Sequence, residues 1–270
     1  MPNSTNQTLL SQRVKIFLCS MLVLMAACGG ESGKTLRVLA ASSLTEAFTG
    51  VAREFEEQNP GVKVNLDFGG SQRLRSQIEF GARVDIFASA DDRQVGILEA
   101  EDLVDGLPVY FAENRLVVIA AVNGAVDSIE DLSKPGTRLV MAEEDVPVGA
   151  YSRQLVANLA GDSSIGLGSH FEGKVLGNLV SEEPNVKFVA QKVALNEMDA
   201  GIVYQTDVAA AQKTGPIVVI PIAVTANVKA RYPMVILEDA PEKELAQLFL
   251  TFVLSAEGQR LLAEHGFSSP

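Results

Sequence analysis

Serine follows an apolar run and precedes a helical pattern at three places in this 270-residue chain. Ser42-Ser43 separates the apolar stretch 36–41 from 44–59, whose Leu44, Phe48, Val51, Ala52 and Phe55 recur at helical steps. Gly69-Gly70-Ser71 separates the alternating stretch 62–68 from 72–80, and Ser89-Ala90-Asp91 follows the short apolar run 84–88. Serine at such a junction is a common N-cap. The first turn of a helix also carries unpaired N–H groups and a partial positive charge, features that suit a bound anion. Two readings therefore stand for Ser43 and Ser71: helix caps, or hydroxyl donors to an anion. Ser42 reads as a cap or as support for its neighbour. Further on, Pro147 occupies a first-turn position ahead of Val148, and Asn185 is placed to cap a helix opening at Val186. The residues of covalent or metal chemistry are not arranged for it. There is no Ser-His-Asp constellation, no G-x-S-x-G elbow and no metal-ligand spacing. His170 stands among Gly and Ser, and His265 ends a helix.

These positions need elements to hold them, and strand and helix signals alternate throughout, which predicts an α/β fold with mostly parallel sheet. Strands are expected over 36–41, 62–68, 84–88, 109–113, 115–122, 138–142, 201–204, 217–221 and 231–237. Helices are expected over 44–59, 72–80, 91–100, 151–159, 171–179, 186–196, 205–212, 242–254 and 256–265, with a single turn at 128–132. Residues 161–169 read as a Gly/Ser loop. Tyr204 closes the strand G-I-V-Y, where it is either a buried tyrosine bonded to backbone or a donor at a strand end. Arg73 and Arg75 read as a solvated helix face, and Glu143-Glu144-Asp145 as a solvated loop.

The first 27 residues differ from the rest. Arg13 and Lys15 precede the apolar run 16–27, and no acidic residue appears before Glu31, the pattern of a secretory signal. The run is too short to span a bilayer, which takes roughly 20 apolar residues. It ends Met25-Ala26-Ala27-Cys28-Gly29, which resembles a bacterial lipobox. Residues 1–27 are thus expected to be removed, Cys28 to carry lipid, and 28–34, rich in Gly, to form a flexible tether. Loss of Cys19 with the leader and lipidation of Cys28 would leave no free thiol. The net charge of −12 argues against nucleic acid as a partner. The same field repels an anionic ligand, which must then be held by local geometry.

Five stretches in order carry a family resemblance: A-A-S-S-L-T (40–45), F-G-G-S (68–71), V-D-I-F-A-S-A-D (84–91), D-V-P-V-G-A-Y (145–151) and A-G-I-V-Y (200–204). Together they resemble the substrate-binding proteins of molybdate ABC transporters over nearly all of the chain beyond the leader. The resemblance implies a two-domain α/β fold of the periplasmic-binding-protein type (type II), with the ligand in the cleft between the domains. It implies crossings near 110–114 and 226–232, so that 35–113 with 229–270 forms one domain and 114–228 the other. Residue by residue it implies that Ser43, Ser71 and Tyr204 donate to the oxyanion from their hydroxyls, and Val148 and Val186 from their backbone N–H groups. Three positions depart from the common pattern. Gly69-Gly70 stands where relatives carry further serine or small residues, Lys187 and Phe188 where others carry arginine and glutamine, and Val148 replaces alanine.

The chemistry suits these donors. Molybdate is a tetrahedral dianion with four acceptor oxygens and no proton at neutral pH, and it needs donors only. Each hydrogen bond to a charged group contributes about 1.5–3 kcal/mol, so several give tight binding without lysine or arginine. A protonated phosphate would require an acceptor, and size separates molybdate and tungstate from sulfate. The resemblance implies a monomeric, non-enzymatic protein outside the cytoplasm, held to the membrane by its lipid alone. It would carry molybdate or tungstate, need no cofactor, and dock on a permease driven by a separate ATPase. The rival readings are a tungstate-specific or sulfate-binding protein and, less well supported, a hydrolase of phosphate esters.

Overall fold

The structure, a computed structural model, describes residues 33–122 and 124–270. The expected leader 1–27, Cys28 and most of the 28–34 tether lie outside the described residues. Strand β1 (Lys34–Ala41) becomes fully buried toward its end and runs through a 3₁₀ turn, Ser42–Leu44, into helix α1 (Thr45–Gln58). α1 buries Ala47, Phe48, Val51, Ala52 and Phe55, the stripe that its three- and four-residue spacing predicts. β2 (Val62–Gly69) leads to helix α2 (Ser71–Glu79), and β3 (Ile86–Ala88) to helix α3 (Asp92–Ala100). Asp91 caps α3 by accepting the Gln94 N–H at 3.1 Å. A long strand, β4 (Val104–Ala121), follows.

β5 (Leu139–Ala142), α4 (Pro147–Gly161), α5 (Phe171–Gly177), β6 (Leu179–Glu183) and α6 (Val186–Ala194) come next. After them come β7 (Ala200–Tyr204), α7 (Val208–Thr214), β8 (Ile217–Ile220) and β9 (Lys229–Leu237). Helices α8 (Lys243–Leu254) and α9 (Ala256–Glu264) end the chain. β6 was not anticipated. Its sequence L-V-S-E-E is short and polar, and Val180 is 59% exposed, so it lacks the apolar signature of a buried strand.

The strands lie in the order β2-β1-β3-β9-β4-β7-β5-β6, with β8 also on β4. β1 pairs parallel with β3, while β9 runs antiparallel to both β3 and β4. β4 is one strand where the sequence suggests two, because it exchanges partners in mid-course. It pairs with β9 as far as Arg115↔Lys229, then with β7 from Leu116↔Tyr204. Asn114 looks like a break in the apolar pattern, yet its backbone continues the ladder. At the exchange point the Asn227 side chain acts as a strand partner. Its Oδ1 accepts the Leu116 N–H at 3.1 Å and its Nδ2 donates to the Leu116 carbonyl at 2.9 Å. The architecture therefore has two α/β sections, one around β1–β3 and one around β5–β7, joined through β4 and β9. Between α1 and α8 the first section packs Phe48 and Phe55 edge-on against Phe249, with centroids 6.2 and 5.1 Å apart. Among the described residues no helix is long and apolar enough to cross a membrane.

Candidate functional site

The two sections meet over a small buried cavity. Ser43, Ser71, Val148, Val186 and Tyr204, scattered over more than 160 positions of sequence, all line it, together with Gly70 and Ala90. Each of the five is at most 4% exposed. The cavity is small, about 10 Å³, room for a compact group and not for an organic molecule. No charged side chain lines it.

Each lining group is presented by a chain turn. Ser71 is the first residue of α2, with Gly70 at the cap position. Its Oγ accepts the Ala90 N–H at 3.1 Å, which occupies a lone pair and leaves the hydroxyl proton to be donated. Ser43 sits in the 3₁₀ turn, and its Oγ lies 2.9 Å from Tyr232 Oη. Neither Ser42 nor Ser43 makes a side-chain cap. This corrects the N-cap reading: the extra 3₁₀ turn delays α1 to Thr45 and turns Ser43 inward. Thr45 Oγ1 instead donates to the Ser42 carbonyl at 2.7 Å.

In the second section Val148 is the second residue of α4, directly after Pro147. An N–H in the first turn has no intrahelical acceptor, and proline has none to offer, so the Val148 N–H is the first donor of that helix. A Cβ on Gly149 would lie 1.9 Å from the Glu143 carbonyl oxygen, so only glycine lets the start of α4 nest against the loop after β5. Asn185 caps α6 as expected. Its Oδ1 takes the N–H groups of Lys187 at 2.9 Å and Phe188 at 3.3 Å, which leaves the N–H of Val186, at the first position, outside the cap. Tyr204 ends β7, and its buried Oη has no hydrogen-bond partner among the described residues. Burial drives its hydroxyl well above the usual tyrosine range, so it keeps its proton and serves as a donor.

Charged groups surround the cavity without entering it. Burial raises the carboxyls of Asp91 and Asp207 to about 6 each. Lys187, at the second position of α6, points away from the cavity and bridges the sections: its Nζ is 2.7 Å from Glu46 and 3.2 Å from Asp207. Arg75 is not simply solvated, since its Nε donates to Gln94 Oε1 at 2.8 Å, and Gln94 in turn donates across the cleft to the Asp145 carbonyl at 3.1 Å. Gln72 makes a second bond across it, donating to the Pro184 carbonyl at 3.0 Å. Beside it, a Cβ on Gly70 would lie 2.4 Å from the same Pro184 oxygen. The cleft is shut, and at Gly70 the two sections leave no room for a side chain. Glu143, Glu144 and Asp145 are exposed, as expected of a solvated loop. Among the described residues no group of three or more His, Cys, Asp or Glu side chains could hold a metal ion.

Sequence reasoning did not find Tyr232, Asn114 or Gly70. Tyr232 lay unremarked within an apolar strand, and only its pairing with Ser43, 189 positions away, gives it a role.

Uncharged donors from both sections suit a compact anion. The family model of the bacterial extracellular solute-binding proteins matches residues 36–268. The chain is 34% identical to the molybdate-binding protein ModA of Mycobacterium tuberculosis over 259 residues, covering 91% of this chain and 93% of that one. It is 28% identical to the molybdate-binding protein ModA of Haemophilus influenzae over 265 residues, 94% and 99% of the two chains. The solved periplasmic molybdate-binding protein of Azotobacter vinelandii superposes with a TM-score of 0.72 at 21% identity, covering 87% of this chain and 99% of that one. The fold is thus the two-domain α/β fold of the periplasmic binding proteins, and the chain belongs to the bacterial extracellular solute-binding protein family, beside the ModA proteins.

Proposed function

We propose that this protein captures molybdate, and tungstate with it, outside the cytoplasm and delivers it to an ABC permease. The observation that carries the reading is the convergence of Ser43, Ser71, Tyr204 and the helix-start residues Val148 and Val186 on one buried cavity that no charged side chain lines. Such a site supplies donors at every side and suits a fully deprotonated tetrahedral oxyanion. Similarity to the ModA proteins supports molybdate as that ion. The cavity gives no room for the organic part of a phosphate ester, which disfavours a hydrolase.

In this reading residues 35–113 and 229–270 form one lobe and 114–228 the other, parted where β4 exchanges β9 for β7. The open protein takes the ion between the lobes. Closure then brings Gln72 to Pro184, Gln94 to Asp145 and Lys187 to Glu46, and the shut form docks on the permease. Cys28 bears the lipid that keeps the protein at the membrane. The test is isothermal titration of the purified protein with molybdate, tungstate, sulfate and phosphate. Molybdate and tungstate should bind tightly and sulfate much more weakly. Sulfate binding as tightly as molybdate, or heat released by none of the four, would refute the reading.

A further inference from the structure

Each of the two serines at the cavity has a group able to donate placed against its oxygen. For Ser71 that donor is the Ala90 N–H. For Ser43 it is a side chain whose own direction is fixed by a hydrogen-bonded chain. Asn114 Oδ1 accepts the Arg115 N–H at 2.9 Å, which settles which end of the Asn114 amide faces inward. Its Nδ2 donates to Thr206 Oγ1 at 2.8 Å and reaches Tyr232 Oη at 3.4 Å. Tyr232 Oη, approached by a group that can only donate, has one proton left to give, and Ser43 Oγ stands 2.9 Å away. Asn114, Tyr232 and Ser43 are all buried, at 3%, 0% and 4% exposure, so no bulk solvent competes for these protons.

We propose that Tyr232, oriented by Asn114, is a positioning residue that makes Ser43 a one-way donor, and that it thereby sets the selectivity of the site against protonated oxyanions. With Tyr232 donating into one of its two lone pairs, Ser43 turns its own proton to the ligand and is a poorer acceptor for the P–OH of hydrogen phosphate. The residues that do this lie on the joining strands. Asn114 is on β4 just before the partner exchange, and Tyr232 is on β9. Thr206, which anchors the other Asn114 hydrogen, follows Tyr204 in the second section. The inference rests on the oxyanion-binding reading above and names the residue that gives that site its proton selectivity.

The test uses three anions that separate size from protonation: molybdate and sulfate carry no proton at neutral pH, and phosphate always carries at least one. The molybdate-to-sulfate affinity ratio reports size, and the sulfate-to-phosphate ratio reports the proton. Tyr232→Phe keeps the ring that packs edge-on to Phe267 at 5.3 Å and Tyr204 at 5.9 Å and removes only the hydroxyl. In titrations, with phosphate read by competition at millimolar concentration, molybdate and sulfate should both weaken by about tenfold. Phosphate should hold or gain, so the sulfate-to-phosphate ratio falls by about tenfold while the molybdate-to-sulfate ratio is unchanged. Asn114→Ala leaves Tyr232 in place but frees its oxygen to accept from Ser43, and should move the same ratio in the same direction by a smaller factor. Thermal melts establish that each variant is folded. A sulfate-to-phosphate ratio unchanged in both variants overturns the proposal, whether all anions weaken together or none does. Natural protein that binds no molybdate refutes the binding reading itself, before any variant is compared.

Discussion

The two sections of this protein reach the same cavity with different kinds of donor. The first contributes side chains: Ser43, hydrogen-bonded to Tyr232, and Ser71, whose oxygen accepts the Ala90 N–H. The second contributes mainly backbone: the N–H groups of Val148 and Val186 at helix starts, with the Tyr204 hydroxyl beside them. The difference determines which substitutions matter. In the first section the identity of the lining residue is everything. In the second the lining side chain is incidental, and what must be kept are the residues that shape the turn: Pro147, Gly149 and Asn185.

The largest effect should come from the first section. Replacing both Ser43 and Ser71 by alanine removes two charge-accepting hydrogen bonds, and molybdate affinity should fall by about a hundredfold, roughly tenfold for each serine. Titration of the double variant retaining natural affinity would show that these serines only shape their turns. Next comes Gly70→Ala. The Gly70 backbone is ordinary, at φ −62°, so alanine strains no dihedral there, and within its own section its Cβ meets only the flexible end of Gln72, at 2.5 Å. Its Cβ would nevertheless collide with the Pro184 carbonyl across the cleft. Affinity should drop by about tenfold with little loss of thermal stability, and small-angle scattering with ligand present should show a protein that fails to compact. Asn185→Ala removes a cap and should cost about 1 kcal/mol of stability, measured by chemical denaturation, with a smaller loss of affinity as the start of α6 frays. The smallest effect is expected at Val148→Ala, which keeps the donating N–H. It should leave affinity unchanged, and a large loss there would contradict the backbone reading of the second section.

Much of this was legible in sequence because helix starts advertise themselves. Gly-Gly-Ser, proline ahead of Val148 and asparagine ahead of Val186 each mark a first turn locally, and a parallel α/β fold gathers first turns at one edge of its sheet. What was not legible depends on distant partners. Tyr232 looks like any aromatic residue of a buried strand until the fold sets it beside Ser43. Gly70 looks like turn chemistry, whereas its consequence is an approach to Pro184 from another section. β6 escaped notice because an exposed, polar edge strand has no apolar period. The division of β4 into two came from reading the polar Asn114 as a break, when its pairing with Ala230 carries the strand through. The cap readings of Ser42 and Ser43 arose because the intervening 3₁₀ turn cannot be told from a helix start by composition.

One experiment reaches the heart of the matter: a crystal structure of the protein grown with molybdate, with the metal located by anomalous scattering at the molybdenum edge. The anomalous peak should lie in the cavity, with the ion's oxygens about 2.7–3.2 Å from Ser43 Oγ, Ser71 Oγ, Tyr204 Oη and the nitrogens of Val148 and Val186. A peak outside that cavity, or an ion clasped by arginine or lysine side chains, would contradict it.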